Sequence, residues 1–225
     1  MDIKEAIKTR HSVRQYLSKP IPDNIKTALQ EEIEKCNRES GLKIQPIYGD
    51  SDCFTGFLAH YGKFKNVQNY IAMVGPKSDT LDETVGYYGQ RIVLFLQMQG
   101  LNTCWVGGTY KKGKCNVTVS SGEKVVCVIA FGYGVNEGLK RTTKPMEKLC
   151  NVPEKEMPGW FKNGMKAAMM APTAINQQKF YVELDGEEVK ITSKPGPFSK
   201  VDLGIVKYNF EAASGYKVKN TGPGK

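Results

Sequence analysis

The stretch Thr9-Arg10-His11-Ser12-Val13-Arg14-Gln15-Tyr16 sets two guanidinium groups, an imidazole and a hydroxyl within five residues. A guanidinium is a rigid fork of donors matched to phosphate oxygens, and serine adds one more donor. Arg10 and Arg14 are four apart, so they share one side of the N-terminal helix if that helix runs so far. The chemistry suggested is anchorage of a cofactor's phosphate and polyol. The structural alternative is a solvated basic helix end that complements the helix dipole.

Three later clusters have similar potential. In Gly100-Leu101-Asn102-Thr103-Cys104-Trp105-Val106-Gly107-Gly108, glycines follow an apolar helical stretch. They let the backbone turn sharply, and the amides near Trp105, Val106, Gly107 and Gly108 could meet a planar ligand edge; otherwise this is a helix end with a core tryptophan. Lys140-Arg141-Thr142-Thr143-Lys144-Pro145 follows an apolar run and a glycine-rich exit. Its cations could neutralise a phosphate or simply be solvated. In Ala171-Pro172-Thr173-Ala174-Ile175-Asn176-Gln177-Gln178-Lys179-Phe180, Pro172 sets a turn, Thr173 offers a hydroxyl, and Asn176 an amide that both donates and accepts. The alternative there is a helix stop followed by a turn. No catalytic triad or carboxylate pair stands out, so no residue is expected to act as acid, base or nucleophile.

Helices and strands mix around these clusters. Asp2, with Glu5 three residues on, opens a short helix whose apolar face is Ile3, Ala6 and Ile7, and Lys19-Pro20-Ile21-Pro22 breaks the pattern. A second helix starts at Asp23, with Ile25, Leu29, Ile33 and Cys36 on one stripe and Gly41 past its end. Residues 44–48 suggest a short strand, and residues 50–62 a loop or lid. Residues 69–75 and 125–131 suggest buried strands. Between them, residues 81–99 form an apolar helix expected near the centre of the core. A helix over residues 160–170, a hairpin turning at Asp185-Gly186, a last helix over residues 201–214 and a frayed tail at residues 220–225 complete the chain. Three to five strands alongside these helices make the class α+β or α/β, and α+β is the expectation taken forward.

The composition narrows the partners. The chain has 225 residues, 40% of them hydrophobic, with a net charge of +9 and a pI near 9.1. That charge favours anionic ligands. Without a long basic block or an interleaved aromatic motif it does not point to nucleic acid. Six cysteines without a Cys-x-x-Cys pair, and two histidines, suggest neither disulfide staples nor a metal site. The charged start lacks the apolar core of a signal peptide, and no apolar run reaches membrane-spanning length. A cytoplasmic protein with no membrane partner is expected.

Taken together, the four clusters resemble the motifs of the nitroreductase family, FMN-dependent oxidoreductases. Arg-x-Ser-x-Arg opens that family's chains, a Gly-Leu-Gly-x-x-Trp-x-Gly segment follows its long central helix, a Val/Ile-rich strand leads to a basic stretch ending Lys-Pro, and an Ala-Pro-Ser-x-x-Asn segment meets the flavin ring. The resemblance implies a three-layer α+β fold, a central mixed or antiparallel sheet flanked by helices. It also implies an FMN site built from Arg10, His11, Ser12, Arg14, Trp105, Val106, Gly107, Gly108, Arg141, Lys144, Pro172, Thr173, Ala174 and Asn176, with Thr173 and Asn176 at the ring edge. NADH or NADPH would be the electron donor, and nitroaromatics, quinones or similar electron-poor small molecules the acceptors.

Two departures matter. Asn102 replaces the middle glycine of the second motif, where asparagine is the next best residue for a left-handed backbone. The Ala-Pro segment, which normally lies before the central helix, here lies near the C-terminus, with Lys179 where the family has proline and Phe180 at its aromatic position. The expected organisation is therefore an FMN-binding lobe over residues 1–150 and a lobe over residues 151–219 that completes the site. Either one chain mimics part of the family's dimer, or a homodimer exchanges the lobe. Phe57, Tyr61 and Phe64 are expected to form a lid that selects the acceptor. The competing functional classes are a flavin- or anion-binding sensor or carrier without turnover, and a basic nucleic-acid-binding domain.

Overall fold

The computed structural model describes residues 1–219; the tail expected at residues 220–225 lies outside the described residues. Helix α1 (Ile3–Thr9) is capped by Asp2, whose carboxylate accepts from the Glu5 amide at 2.8 Å, and it buries Ala6 and Ile7. It ends before the arginine motif. Arg10 is already extended (φ −64°, ψ 124°), so Arg10 and Arg14 do not share a helical face. The chain instead runs along the sheet, with the Val13 amide donating to the Thr103 carbonyl at 3.0 Å. An extended chain repeats every two residues. Arg10, Ser12 and Arg14 therefore reach the same side, while Val13 is buried.

Helix α2 (Asp23–Ser40) buries Leu29, Ile33 and Cys36 as its stripe requires, and Gly41 closes it in the left-handed region at φ 73°. Strands β1 (Gln45–Tyr48), β2 (Asn69–Pro76), β3 (Asn102–Val106) and β4 (Glu123–Gly132) form an antiparallel sheet in the order β1-β2-β4-β3. A short helix, α3 (Phe57–Tyr61), lies in the region expected to be irregular. The segment after Gly100 is a strand rather than a turn. Gly100 supplies the left-handed residue (φ 77°), and Asn102 starts β3 in register with Gly132.

Helix α4 (Leu81–Met98) lies at the centre, as its apolar surface implied. It packs on β2, β3 and β4 and on the last helix, α6 (Ser199–Ser214). The α4–α6 crossing brings backbone against backbone. A Cβ on Gly86 would strike the Val201 carbonyl, and one on Gly204 the Glu83 carbonyl. Polar groups buried at this seam are paired: Gln90 Nε2 donates to Asn209 Oδ1 at 2.9 Å, Asn209 Nδ2 to the Ala167 carbonyl at 2.9 Å, and Lys207 Nζ to Glu83 Oε1 at 2.6 Å.

The C-terminal part has its own core. Helix α5 (Gly159–Met169), the hairpin β5 (Phe180–Asp185) and β6 (Glu188–Ser193), and α6 enclose Phe161, Met165, Val182, Ile191 and Phe210. Met146, Leu149 and Cys150 already belong to this core. Six strands among the described residues thus exceed the three to five expected, and the α+β class stands. No helix of the described residues is long and apolar enough to cross a membrane.

Candidate functional site

Two joined cavities lie where the two ends of the chain meet. The larger, about 570 Å³, is walled by Cys104 to Thr109 at the end of β3, by Pro172 to Ile175, and by Phe198, Val201, Asp202 and Ile205 at the start of α6. The smaller, about 290 Å³, is walled by Arg10, His11, Lys140, Arg141, Thr142, Met170, Ala171 and Asn176. Ser12, Arg14, Leu139, Thr173 and Ile175 border both. A cleft of this size, mostly apolar with a few convergent polar groups, suits a small-molecule ligand.

The smaller cavity is an unneutralised cationic end. Arg10, Arg14, Lys140 and Arg141 line it with no carboxylate among its walls, and none of the four forms a salt bridge among the described residues. Arg10 is only 4% exposed. Burial and the neighbouring Arg141 push its guanidinium down to about 9, so it remains charged at neutral pH. A buried charge without a partner is costly; here an anion would supply the missing partner. Burial and the Arg141 and Arg10 charges lower the His11 imidazole from its usual value, and its Nδ1 lies 2.9 Å from the Thr9 carbonyl.

Arg141 has a bracing geometry. Its guanidinium donates to the carbonyls of Met170, at the end of α5, and Arg10, joining the two parts of the chain. Tyr16 fixes the other end of the extended segment, its hydroxyl donating to the Val13 carbonyl at 2.6 Å and the Ala130 carbonyl at 3.2 Å.

The larger cavity depends on close approach. Trp105 packs on α4 so closely that a Cβ on Gly89 would clash with its ring, and its Nε1 donates to Gln90 Oε1 at 3.4 Å. A Cβ on Gly107 would come within 2.5 Å of the Phe198 ring, whereas Gly108 meets nothing within 4 Å. Asn102 acts through its side chain rather than through a left-handed backbone: Oδ1 accepts from the Gly134 amide at 2.9 Å.

The turn at residues 172–178 is strained and heavily bonded. Ile175, Asn176 and Gln178 have φ of 47°, 54° and 44°, and Phe198 nearby has 55°. Left-handed Ile and Phe are outliers that surrounding contacts must hold. Here Asp202 accepts from the Ala174 amide at 2.9 and 3.1 Å and from Gln177 Nε2 at 2.7 Å. Burial raises its carboxyl to about 6 against these two stabilising bonds. Thr173 Oγ1 accepts from the Gln178 amide at 3.1 Å, and both Gln178 Nε2 and Asn176 Nδ2 donate to the Thr142 carbonyl.

Most of the predicted site residues do converge. Arg10, His11, Ser12, Arg14, Trp105, Val106, Gly107, Gly108, Arg141, Pro172, Thr173, Ala174 and Asn176 all border the cleft, though Asn176 borders its cationic end and not the larger cavity. Lys144 borders neither cavity. Its Nζ donates to the carbonyls of Gln177 at 2.8 Å and Gln178 at 2.9 Å, tying the basic loop to the turn. Of the expected lid, Tyr61 borders the cleft, Phe57 is 80% exposed and stands away from it, and Phe64 is 5% exposed, a core side chain whose edge borders the cleft. Sequence reasoning missed Leu139, Phe198 and Asp202. Only an acid at an inward-facing position of α6 could have signalled Asp202.

Comparison with known proteins agrees with this architecture. The crystal structure of a "putative nitroreductase" from Thermotoga maritima is similar over 95% of this chain and 83% of its own, with 24% identity and a TM-score of 0.71. A second "putative nitroreductase", from Desulfovibrio desulfuricans and in complex with FMN, is 18% identical, with a TM-score of 0.53 over 67% of this chain and 96% of its own. A nitroreductase family protein from Streptococcus pneumoniae is 14% identical, with a TM-score of 0.53 over 66% of this chain and 98% of its own. At these identities the likeness is one of fold: two-thirds of this chain spans nearly all of the shorter relatives. No curated protein matches the sequence. The model of the family described as "Putative TM nitroreductase" matches residues 2–214, and this chain belongs to that family.

Proposed function

We propose that the chain is an FMN-dependent NAD(P)H oxidoreductase of the nitroreductase type, with a self-contained flavin site. The observation that carries this reading is the joined cleft itself, apolar at one end and lined at the other by four cations without a carboxylate. FMN has the same asymmetry, a planar ring at one end and a phosphate at the other, so these residues fit it. Arg10, Arg14 and Lys140 would hold the phosphate, with Arg141 bracing the backbone around it. Ser12 and Thr173, which border both cavities, would meet the polyol between. The backbone at Gly107 and Gly108 would admit the ring, with Pro172 and Ala174 closing one wall.

Bound FMN supplies two-electron transfer between a nicotinamide donor and an electron-poor acceptor such as a nitroaromatic or quinone. The side chains of the site bind, orient and exclude water. Both parts of the chain contribute to a single cleft, which supports a monomer that completes its site in cis.

The visible spectrum of the purified chain, followed by anaerobic NADH and NADPH, tests this. A flavin spectrum that bleaches is expected. A flavin that neither nucleotide reduces would make the protein a flavin carrier, and a colourless chain that takes up no FMN would remove the reading. Mass in solution tests the cis site, and a dimer that resists dilution would count against it.

A further inference from the structure

Two thiols lie outside the cleft, in segments that lead into its walls. Cys53 sits in a single helical turn (Asp52–Phe54) and is fully buried; Cys115 follows a similar turn (Lys112–Lys114) and is partly exposed. The backbone ties the turns together. The Lys111 amide donates to the Cys53 carbonyl at 2.7 Å, and Cys115 Sγ lies 4.0 Å from the Lys111 carbonyl. Cys53 lies in one apolar cluster with Phe54, Tyr70 and Tyr110, and Cys115 packs against that same cluster.

The pair is asymmetric. The neighbouring Cys53 thiol is the main influence holding Cys115 below the usual thiol range, with Lys112 assisting. The Cys115 thiol and burial push Cys53 up. Cys36, Cys104, Cys127 and Cys150 are buried, and burial raises each of them. Thiolate character together with access is what makes a cysteine reactive, and Cys115 alone of the six combines them.

We propose that Cys115 and Cys53 form a redox-active dithiol that hydrogen peroxide converts into a disulfide. The Cys115 thiolate attacks one peroxide oxygen, the O–O bond breaks, and the departing hydroxide takes a proton from solvent, leaving a sulfenic acid and water. The Cys53 sulfur then attacks the Cys115 sulfur. The S–O bond breaks, and the departing hydroxide takes the Cys53 proton as a second water. Two thiols lose two electrons and the peroxide gains them. The new bond would clamp residues 52–54 to residues 112–115, whose chains continue to Tyr61 and Gly62 and to Gly108 and Thr109 on the cleft wall.

Stoichiometric peroxide on the full chain, followed by alkylation, intact mass and peptide mapping, tests this without reading the flavin. The expected result is a loss of two hydrogens, a linked Cys53–Cys115 peptide, two fewer free thiols than the original six, and reversal by dithiothreitol. Cys115→Ser, at a partly exposed position, abolishes the change while circular dichroism stays the same. Cys53→Ser leaves a one-oxygen adduct on Cys115. An unmodified Cys115, a lasting sulfenic acid in the unsubstituted chain, or a linkage through any other cysteine would overturn the proposal.

Discussion

The cationic end of the cleft and the turn that walls it are built on opposite principles. At the cationic end, Arg10, Arg14, Lys140 and Arg141 crowd together without a counter-charge, and the buried Arg10 guanidinium is left to repel Arg141. Along the wall shared by both cavities, the strained turn at residues 172–178 has its polar groups met by Asp202, Thr142, Thr173 and Lys144. The first region leaves its charges unpaired. The second pairs its polar groups internally, save Gln177 Oε1, which is buried without a partner among the described residues. Binding energy should therefore concentrate at the arginines, and folding energy at the Asp202 network.

Substitutions can break this contrast. The largest effect is expected from Arg10→Ala. Removing one partner of a buried charge pair costs roughly 2–5 kcal/mol of binding, so FMN affinity should fall on the order of 100-fold in a fluorescence titration. The ligand-free chain should melt no lower, because an unpaired buried charge has been removed. A lower melting temperature without loss of affinity would reverse the roles of the two regions.

Asp202→Ala should do the converse. It strands the Ala174 amide and the Gln177 side chain, at a cost of about 2 kcal/mol in urea unfolding, with a smaller loss of FMN affinity. Asp202 also predicts a pH signature. Its folded value of about 6 lies above the usual 3.8, so the folded chain holds this proton more tightly than the unfolded chain does. Stability from this group is full below about pH 4 and declines as pH rises to 6. Asp202→Asn should flatten that decline in melting temperature.

Ile175→Asn sharpens the comparison further. Ile175 is 88% exposed with φ 47°, so asparagine should relieve strain and stabilise by about 1 kcal/mol. If acceptor KM rises while FMN affinity holds, the strained isoleucine serves the acceptor. Phe57→Ala should have the smallest effect, with FMN affinity and acceptor preference unchanged, since this ring stands away from the cleft. Tyr61→Ala, at the cleft mouth, should change the acceptor preference.

The chemistry of the arginine motif was legible because charge and donor geometry belong to the residue types. Its conformation was not. Four-residue spacing suggested a helix, but α1 stops at Thr9 and bonding to β3 imposes a two-residue repeat that brings Arg10, Ser12 and Arg14 together. Strand β3 was hidden because flanking glycines read as a turn, while its strand character comes from pairing with β4, whose partner residues run from Val128 to Gly132. The resemblance implies a phosphate role for Lys144, whereas its ammonium donates to two carbonyls more than thirty residues away.

What the sequence determined by itself was local: helix caps at Asp2 and Gly41, the apolar pattern of α4, the presence of a cationic motif, and the Pro172 turn. These depend on neighbours a few positions apart. Only the tertiary structure decided that the Gly86–Gly204 crossing would bring the C-terminal turn beside the N-terminal arginines, that Phe198 would lie over Gly107, and that Asp202 would hold Ala174. Each of those outcomes rests on a contact between residues distant in the chain, and such contacts form only when packing the shared core brings them together.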